Sequence, residues 1–436
     1  MSVAALAPAA GERPRTTTLF DVLEIAAVVL VLFWLTEAWA TVLVGNDPAA
    51  PVDNDQLRRF WLPTYGLMLV LAASRPAQYG TLWLGIALGL PIVALAFAST
   101  QWSIAPDITL RRSITLALTT FFGFYLAARF SWRTLIEMAA AALVISAAGS
   151  LVAAVAFPSF GVNHTIHPGA WQGLFSEKNT LGATMVRGAL AAGCAAVLVP
   201  ERRWLWVGGA LLCAGMTIAS TSTTALLGLL VVMASFPAVA ALRSRGAAAV
   251  AAVWLAFAAV VVGLGVFIFA PEIFFEAVGK DATLTGRTEI WELVAQKIRE
   301  RPTLGYGFAA FWADKDYGPA AAISEQLDWS IPTAHNGWLE TMLQFGMVGL
   351  VLVAVHFGIA LLAGIARLPM QADGWWSAPY LVVFLLFSLS ESSIVQQTSI
   401  FWVLYVATTA KMLQFPVHEP RAPRRPHTAY EETRLG

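Results

Sequence analysis

Long apolar runs, separated by short polar segments, are the feature that most constrains how this chain can fold. Hydrophobic residues make up 58% of its 436 residues and charged residues only 12%, whereas soluble domains are about one quarter charged. A helix crosses a hydrocarbon core in about 20 residues, and lipid offers no partner to an unpaired backbone group. The sequence therefore predicts an all-α polytopic membrane protein with about twelve spans, near 20–44, 60–74, 80–98, 110–129, 135–157, 179–199, 204–221, 223–241, 248–270, 337–366, 376–393 and 398–414.

The positions of arginine in the short loops predict the orientation of these spans. An N-terminus inside the cell places most loop arginines on the inner side, as the positive-inside rule requires; Arg58, Arg59, Arg111 and Arg112 are the exceptions. The resulting division is a disordered cytoplasmic N-terminus, a bundle of about nine spans, a periplasmic catalytic segment, about three further spans and a disordered cytoplasmic tail, with boundaries at 1–18, 19–270, 271–336, 337–415 and 416–436.

The polar segment between the two groups of spans carries three conspicuous strings. They are Thr283-Leu-Thr-Gly-Arg-Thr-Glu-Ile-Trp291, Arg301-Pro-Thr-Leu-Gly-Tyr-Gly307 and Ala334-His-Asn-Gly-Trp-Leu-Glu340. Apolar residues alternate with charged ones at helical spacing over 287–301, which predicts an amphipathic helix on the outer surface or packed against the bundle. The start of such a helix attracts anions. This concentration of Arg, His, Asn and Glu outside the membrane predicts that the chemistry takes place there.

Several charged residues lie at the predicted outer ends of the spans. Glu177 and Lys178 precede one span, Arg187 lies about two turns deeper in it, and Glu340 and Glu391 lie near the outer ends of later spans. Charges within a membrane are costly and usually face a cavity or an oppositely charged partner. Arg187 therefore either binds substrate or pairs with Glu391 or Glu340 to hold the bundle together, and the sequence leaves both interpretations open.

His335 is the histidine best placed for catalysis. A neutral imidazole can accept a proton near neutral pH, as a general base must, although a capping or packing role is an equal alternative.

His164 and His167 have no third ligand nearby, so no metal site is predicted. Cys194 and Cys213 lie in apolar runs and are expected to be small core residues. The net charge of zero argues against a nucleic-acid partner.

The ordered motifs give the chain a family resemblance. The string Gly169-Ala-Trp-Gln-Gly-Leu-Phe-Ser-Glu-Lys-Asn-Thr-Leu-Gly182 resembles the loop-to-helix motif of the O-antigen ligase and polysaccharide polymerase superfamily. The three strings of the polar segment follow in the order found in its ExoQ-like exopolysaccharide polymerase branch. The resemblance covers residues 169–350 closely.

This resemblance implies an inverting, GT-C-like glycosyltransferase in the bacterial inner membrane, with its active segment in the periplasm. It would use no metal or other cofactor. The donor would be a glycan carried on polyprenyl pyrophosphate, such as undecaprenyl pyrophosphate, and the acceptor another glycan. Membrane lipid and export-pathway proteins are the further expected partners, and a lateral opening between helices is expected to admit the polyprenyl tail.

The resemblance also implies roles for individual residues. His335 corresponds to the proposed base and Arg287 to an arginine that contacts the donor pyrophosphate, while Lys178 and Asn179 match further motif positions. A glycosyl pyrophosphate needs positive charge near its departing phosphates, which Arg287 can supply in a forked geometry. The other candidates for substrate binding are Arg187, Glu340, Arg301, Tyr306 and Asn336.

Two departures from the family pattern leave alternatives open. Position 177 is Glu, where His is expected more often, and the string Ser220-Thr-Ser-Thr-Thr-Ala225 lacks the usual basic residue, for which Arg187 is a candidate replacement. The prediction is a polysaccharide polymerase. The alternatives are a ligase that transfers glycan to lipid A-core or protein, a transporter of the lipid-linked glycan, and a degenerate or scaffolding member.

Overall fold

A computed structural model describes residues 18–44, 55–74, 76–165, 167–244, 246–247, 249–251, 255, 287–314, 318–329, 331–368 and 372–414. The predicted disordered termini, the predicted span at 248–270 and the first part of the polar segment, 271–286, lie wholly or almost wholly outside these residues.

Helices dominate the described residues, which contain one isolated antiparallel bridge, between Val162 and Trp171, and no strand. The helices are α1 (Leu19–Trp34), α2 (Ala40–Val44), α3 (Asp55–Ala73), α4 (Trp83–Ala98), α5 (Pro106–Arg129), α6 (Trp132–Ala156), α7 (Pro158–Gly161), α8 (Lys178–Leu198), α9 (Arg203–Ala219), α10 (Thr223–Arg243), α11 (Arg287–Glu300), α12 (Pro319–Leu327), α13 (Gly337–Arg367), α14 (Ser377–Ser388) and α15 (Ile400–Met412).

The all-helical membrane architecture expected from the apolar runs is confirmed. Within the described part of the chain, five helices are long and apolar enough to cross a membrane, namely Gln78–Gln101, Trp132–Ala156, Lys178–Leu198, Thr223–Arg243 and Gly337–Arg367. The total of about twelve spans stays a prediction. The run at 20–44 is not one helix, because α1 ends at Trp34 and a turn leads to α2.

Helix α8 occupies the centre of the bundle and is buried along most of its length. It packs against α6, α9, α10 and α14. Small residues permit these close approaches: a Cβ added at Gly188 would lie 2.7 Å from Cys213 Sγ, and one at Gly182 would lie 2.6 Å from Ala225 Cβ. Glycine at helix contacts is the usual device for packing membrane helices closely. The centre of the bundle therefore depends on residues that have no side chain.

The two ends of the bundle differ in chemistry. At one end, the ion pairs Arg133–Glu201 (2.6 Å) and Arg202–Glu137 (2.8 Å) join the first turns of α6 to the residues just before α9. At the opposite ends of α6 and α8 lie the loop at 157–177, the short α9–α10 connection and the segment that contains α11 and α12. The candidate site residues gather at this second end.

Helix α13 is interrupted at Gly346, whose φ of 63° and ψ of −157° are not helical. The backbone of residues 302–307 fills the break. The bonds run from Tyr306 N–H to Leu343 O (2.8 Å), Gly307 N–H to Gln344 O (3.0 Å), Met347 N–H to Pro302 O (2.8 Å) and Val348 N–H to Thr303 O (3.3 Å). An interrupted helix leaves backbone groups that need new partners, above all in a membrane. The string that begins at Arg301 thus supplies the partners that the broken helix needs.

Helix α11 forms close to the bounds that its apolar spacing predicts. Ile290, Val294 and Ile298 are buried on one face, in a small second core with residues of α12 and of the first turns of α13. The helix therefore packs on the protein through its apolar face. Its position relative to a membrane stays a prediction.

Candidate functional site

A cavity of about 460 Å³ lies at the end of the bundle where α8 begins. One wall is the loop after α6, and another is the start of α8 together with the residues just before it. Arg287 at the start of α11 and His335 just before α13 complete it. The lining residues are Ser159, Val162, Asn163, His164, Thr165, His167, Gln172, Ser176, Glu177, Lys178, Asn179, Arg287, Ile290, Trp329 and His335. Four of the residues predicted for catalysis or binding thus share one cavity.

Glu391 joins Arg287 to His335 at this cavity. Its Oε1 atom lies 3.3 Å from Arg287 Nη2, and its Oε2 atom lies 3.7 Å from His335 Nδ1. The carboxylate reaches both because α14 ends at Ser388, which leaves residues 389–399 as a loop over the site. From the sequence, Glu391 is expected to face a cavity or to pair with Arg187, and nothing local indicates a contact with Arg287, 104 residues away.

A tight turn holds His335 at the cavity wall. His335 has a φ of +48°, in the left-handed region, and such a conformation is kept only where the surroundings enforce it. Its own N–H donates to Thr333 Oγ1 (3.3 Å), and the N–H of Ala334 donates to Glu340 Oε2 (3.1 Å). Asn336 caps α13, because its Oδ1 accepts hydrogen bonds from the N–H groups of residues 338 and 339. His335 is therefore not the capping residue.

Glu340 does not line the cavity, but its carboxylate accepts a hydrogen bond from the turn that carries His335. Besides the Ala334 N–H, its carboxylate accepts the indole N–H of Trp312 (3.0 Å) and the side-chain amide of Gln344 (3.1 Å). Trp291 completes the arrangement, because its indole N–H donates to Ala334 O (2.9 Å). Glu340 thus holds the turn that carries His335, and its predicted contact with substrate stays a prediction.

The start of α8 supplies two polar side chains to the cavity, those of Lys178 and Asn179. Asn179 Oδ1 accepts a hydrogen bond of 2.8 Å from the buried Ser222 hydroxyl. Glu177 lines the same cavity and is exposed. Partial desolvation by the surrounding protein and the nearby carboxylate of Glu391 raise the pKa of its carboxyl group, while His335 and Arg287 oppose the change.

Besides Glu340 and Asn336, three predicted binding residues lie away from the cavity wall. Arg187 is fully buried between the rings of Phe387 and Phe401, 4.5 and 3.6 Å from its guanidinium carbon, and its Nη1 donates to a backbone oxygen of its own helix. Among the described residues it forms no direct ion pair with Glu340 or Glu391, so the pairing that was one of its two possible roles is not found. Arg301 and Tyr306 are the other two.

Arg301 and Tyr306 are engaged with each other and with their own loop. The guanidinium of Arg301 lies 5.0 Å above the Tyr306 ring. The Tyr306 hydroxyl donates to Lys297 O (2.9 Å) and lies 2.9 Å from Glu300 Oε2. Burial and the adjacent Glu300 raise the pKa of Tyr306, so its hydroxyl stays a donor at neutral pH. These contacts hold the loop that fills the break in α13.

The cavity also contains residues that the sequence did not single out for function, chiefly Asn163, Gln172 and Trp329. Asn163 and Gln172 bond to each other (3.2 Å) and hold the loop after α6 in place. No periodicity or motif marks them, because their role depends on how that loop folds back. The described residues contain no group of three or more His, Cys, Asp or Glu that could hold a metal ion.

The amino-acid sequence is similar to one protein family and to one characterised relative. A family model described as O-Antigen ligase matches residues 208–354. The exopolysaccharide production protein ExoQ of Rhizobium meliloti (strain 1021) is 26% identical to this chain over 278 residues. The resemblance predicted from the motifs is confirmed. The aligned part covers 61% of this chain and 62% of the ExoQ protein, less than two thirds of that relative's length.

Arg287 and His335 lie inside the part matched by the O-antigen ligase model, whereas Glu177, Lys178 and Glu391 lie outside it. The structure nevertheless brings residues from inside and outside that range to one cavity. The long apolar helices are typical of a membrane protein, and over residues 208–354 the chain is similar to the O-antigen ligase family.

Proposed function

We propose that the protein is an inverting, metal-independent glycosyltransferase that polymerises polyprenyl-pyrophosphate-linked oligosaccharide repeats into exopolysaccharide. One observation carries the proposal: Arg287, Glu391 and His335 converge on a cavity that Lys178 also lines. Positive charge and a candidate base therefore lie at one cavity. The likeness to ExoQ, a protein of exopolysaccharide production, supports the polymerase assignment.

His335 acts as the base in the proposed reaction. Its Nδ1 faces Glu391 at 3.7 Å, a separation that a small rotation of either side chain would shorten, as catalytic hydrogen bonds often do when substrate binds. With the Nδ1 proton directed to that carboxylate, Nε2 is left as the nitrogen that can accept a proton. In the proposed reaction, this contact favours the tautomer that a base requires.

The proposed glycosyl transfer needs only the donor, the acceptor and the residues of the site. His335 takes the proton of the acceptor hydroxyl as that oxygen forms a bond to the anomeric carbon of the donor glycan. The bond between the anomeric carbon and the pyrophosphate oxygen breaks on the opposite face, so the anomeric configuration inverts. The polyprenyl pyrophosphate leaves with the bonding electron pair, and its pyrophosphate already stabilises negative charge well enough that no general acid is needed.

Arg287 and Lys178 supply the positive charge that stabilises the departing phosphates. Arg287 is largely buried, and charge–charge interactions strengthen where water is excluded. Its contact with Glu391 is a single bond of 3.3 Å, which is longer than a strong charge-assisted bond. The guanidinium can therefore turn a second edge to phosphate while Glu391 keeps it in place.

In the proposed setting, the site faces the periplasm of a bacterial inner membrane and both chain termini are cytoplasmic. The arginine-rich loops at the end opposite the cavity support this orientation. Donor glycan on its lipid carrier, an acceptor glycan and the surrounding lipid are the proposed partners, with export-pathway proteins in addition. The segments 19–270 and 337–415 would form the bundle, and 271–336 the catalytic segment.

A glycan-length profile tests the proposal. Cells that carry wild type, His335→Ala, Arg287→Ala or Arg299→Ala are compared at equal membrane abundance; Arg299 is the control, because it lies exposed on the same helix as Arg287. The expected result is collapse to single lipid-linked repeats in the first two variants and normal polymer in the third. Normal polymer in all of them would refute the assignment of His335 and Arg287.

The second candidate is a ligase, and it is favoured by the family model, whose description is O-Antigen ligase. It would use the same cavity and the same chemistry with lipid A-core or protein as acceptor. The profile separates the two functions, since loss of a ligase leaves long chains that are no longer attached to their acceptor. If single-residue variants stop the lipid-linked repeats from reaching the periplasm at all, the transporter alternative would be supported.

A further inference from the structure

Trp329 is the largest apolar side chain at the cavity. It lies just after α12, lines the cavity and is 47% exposed. Three other tryptophans near the site, Trp291, Trp312 and Trp338, each donate the indole N–H to an oxygen of the protein. In the described part of the chain, the indole of Trp329 has neither a hydrogen-bond partner nor a ring contact. Its faces and its N–H group are therefore available to a ligand.

A turn at the end of α12 fixes the backbone that carries this indole. Asp328 has a φ of +57°, in the left-handed region. Ser324 holds the turn twice, because its backbone oxygen accepts the N–H of Trp329 (3.2 Å) and its Oγ accepts the N–H of Ile331 (3.2 Å). The Trp329 side chain does not belong to the small second core that α11 and α12 share. The fold thus keeps Trp329 at the cavity without using its side chain for packing.

Hydroxyl groups that lack a protein partner line the same cavity. They belong to Ser159, Thr165 and Ser176, which are all exposed. Among the described residues, none of the three hydroxyls makes a hydrogen bond. The side chains of Asn163 and Gln172, in contrast, bond to each other (3.2 Å). The cavity therefore offers several groups that can both donate and accept hydrogen bonds.

An indole beside unpartnered hydroxyl groups suits a sugar ring better than a phosphate. A pyranose ring has a face of C–H bonds, on which an aromatic ring can pack, and a rim of hydroxyl groups that need hydrogen-bond partners. Phosphate needs cations, which Lys178 and Arg287 provide at this cavity. A tryptophan that only anchors a protein at the membrane surface has no reason to line a cavity with hydroxyl groups. The lining thus combines the chemistry for phosphate with the chemistry for sugar.

We propose that Trp329 stacks on a sugar ring of the acceptor glycan and holds it beside His335. This inference rests on the proposed function, because the polymerase reaction assigns the pyrophosphate to the cations and needs an acceptor hydroxyl at the base. Trp329 and His335 lie in the same short segment between α12 and α13, and both line the cavity. Trp329 is therefore a determinant of which sugar the protein accepts.

The position of the contact within the glycan distinguishes the acceptor from the donor. Each lipid-linked repeat is joined to its carrier through its reducing-end sugar. The acceptor hydroxyl accordingly lies on a ring away from the reducing end, whereas the sugar that a donor transfers is the reducing-end ring itself. A measurement that identifies which ring touches the protein can therefore separate the two.

Saturation-transfer NMR on the full-length protein in lipid nanodiscs gives both the affinity and the ring in contact. One probe is the lipid-free oligosaccharide that mild acid releases from the lipid-linked glycan of the same cells. The other is geranyl pyrophosphate, which carries no sugar, with the signal from empty nanodiscs subtracted. Wild type is compared with Trp329→Ala, with Trp329→Phe, which keeps an aromatic face, and with Trp204→Ala. Trp204 is the matched control, because it is 81% exposed at the start of α9, away from the cavity.

The expected result is that Trp329→Ala weakens oligosaccharide binding on the order of tenfold and removes saturation transfer to rings away from the reducing end. Trp329→Phe should keep most of the affinity, and Trp204→Ala should match wild type. Geranyl pyrophosphate should bind all four proteins equally, because it makes no use of the stacking face.

The two probes separate failure of this inference from failure of the proposed function. Equal oligosaccharide binding by wild type and Trp329→Ala, or no oligosaccharide binding by wild type, would overturn the sugar site. A loss confined to the reducing-end ring would overturn the acceptor assignment. Equal weakening of both probes would show that Trp329 shapes the whole cavity and has no sugar-specific role. Absence of geranyl pyrophosphate binding to wild type would instead overturn the donor site of the proposed function.

Discussion

The loop that fills the break in α13 offers a sharp test of how the site is held together. Gly305 has a φ of +65°, and a Cβ added there would lie 2.5 Å from Leu343 O and 2.7 Å from the carbonyl carbon of Gln344. Both neighbours are backbone atoms and cannot swing aside. Gly305→Ala should therefore push the loop out of the break and weaken the bonds that join it to α13.

The size of the effect follows from the contacts that are lost. Alanine in the left-handed region costs about 1–2 kcal/mol. The two bonds next to Gly305, from the N–H groups of Tyr306 and Gly307 to Leu343 O and Gln344 O, contribute about 1 kcal/mol each. We expect a loss of about 3 kcal/mol, which corresponds to a fall in the thermal midpoint on the order of 5 °C.

The assay uses the two cysteines of the chain. Cys194 and Cys213 are both free and buried, so a thiol-reactive dye reports when the bundle opens on heating. Gly358→Ala is the matched control, because Gly358 lies in the same helix and an added Cβ there meets nothing within 4 Å. Its midpoint should stay unchanged or rise slightly. If Gly305→Ala melts together with wild type, the loop does not hold α13 in the way described.

Three further predictions concern individual side chains. Arg287→Lys should fold normally but lose about 10- to 100-fold in polymer formation per protein, because one ammonium cannot reproduce forked contacts; full activity would rule out the proposed clamp. Glu340→Ala should lower the stability by about 3 kcal/mol in the same thiol assay, since the N–H groups of Trp312 and Ala334 lose their acceptor, and a wild-type midpoint would show that the anchor is dispensable. Glu201→Gln should leave the thermal midpoint of the same assay unchanged, because its pair with Arg133 is exposed and such pairs stabilise little; a clearly lower midpoint would contradict that reasoning.

The motif residues show how far local sequence can lead towards the site. Arg287, His335, Lys178 and Asn179 were selected from strings that resemble a known superfamily, and the structure brings all four to one cavity. Their catalytic and binding roles stay predictions. The string at 301–307 shows the limit of the same reasoning. The string resembles a family motif, which suggested that Arg301 and Tyr306 bind substrate. In the structure, both residues stabilise the loop whose backbone bonds to the interrupted helix α13.

Hydropathy and helical periodicity are properties of neighbouring residues, so the amino-acid sequence was enough to predict a helical protein with membrane-type apolar helices. The family resemblance could also be found in this way, since it depends on short strings in a fixed order. The contact partners of individual side chains, in contrast, follow from the tertiary fold. Glu391 contacts Arg287 across 104 residues of sequence, and Arg187 lies between two aromatic rings instead of facing a carboxylate. Such contacts depend on where helices end and how closely they pack, which no local pattern records.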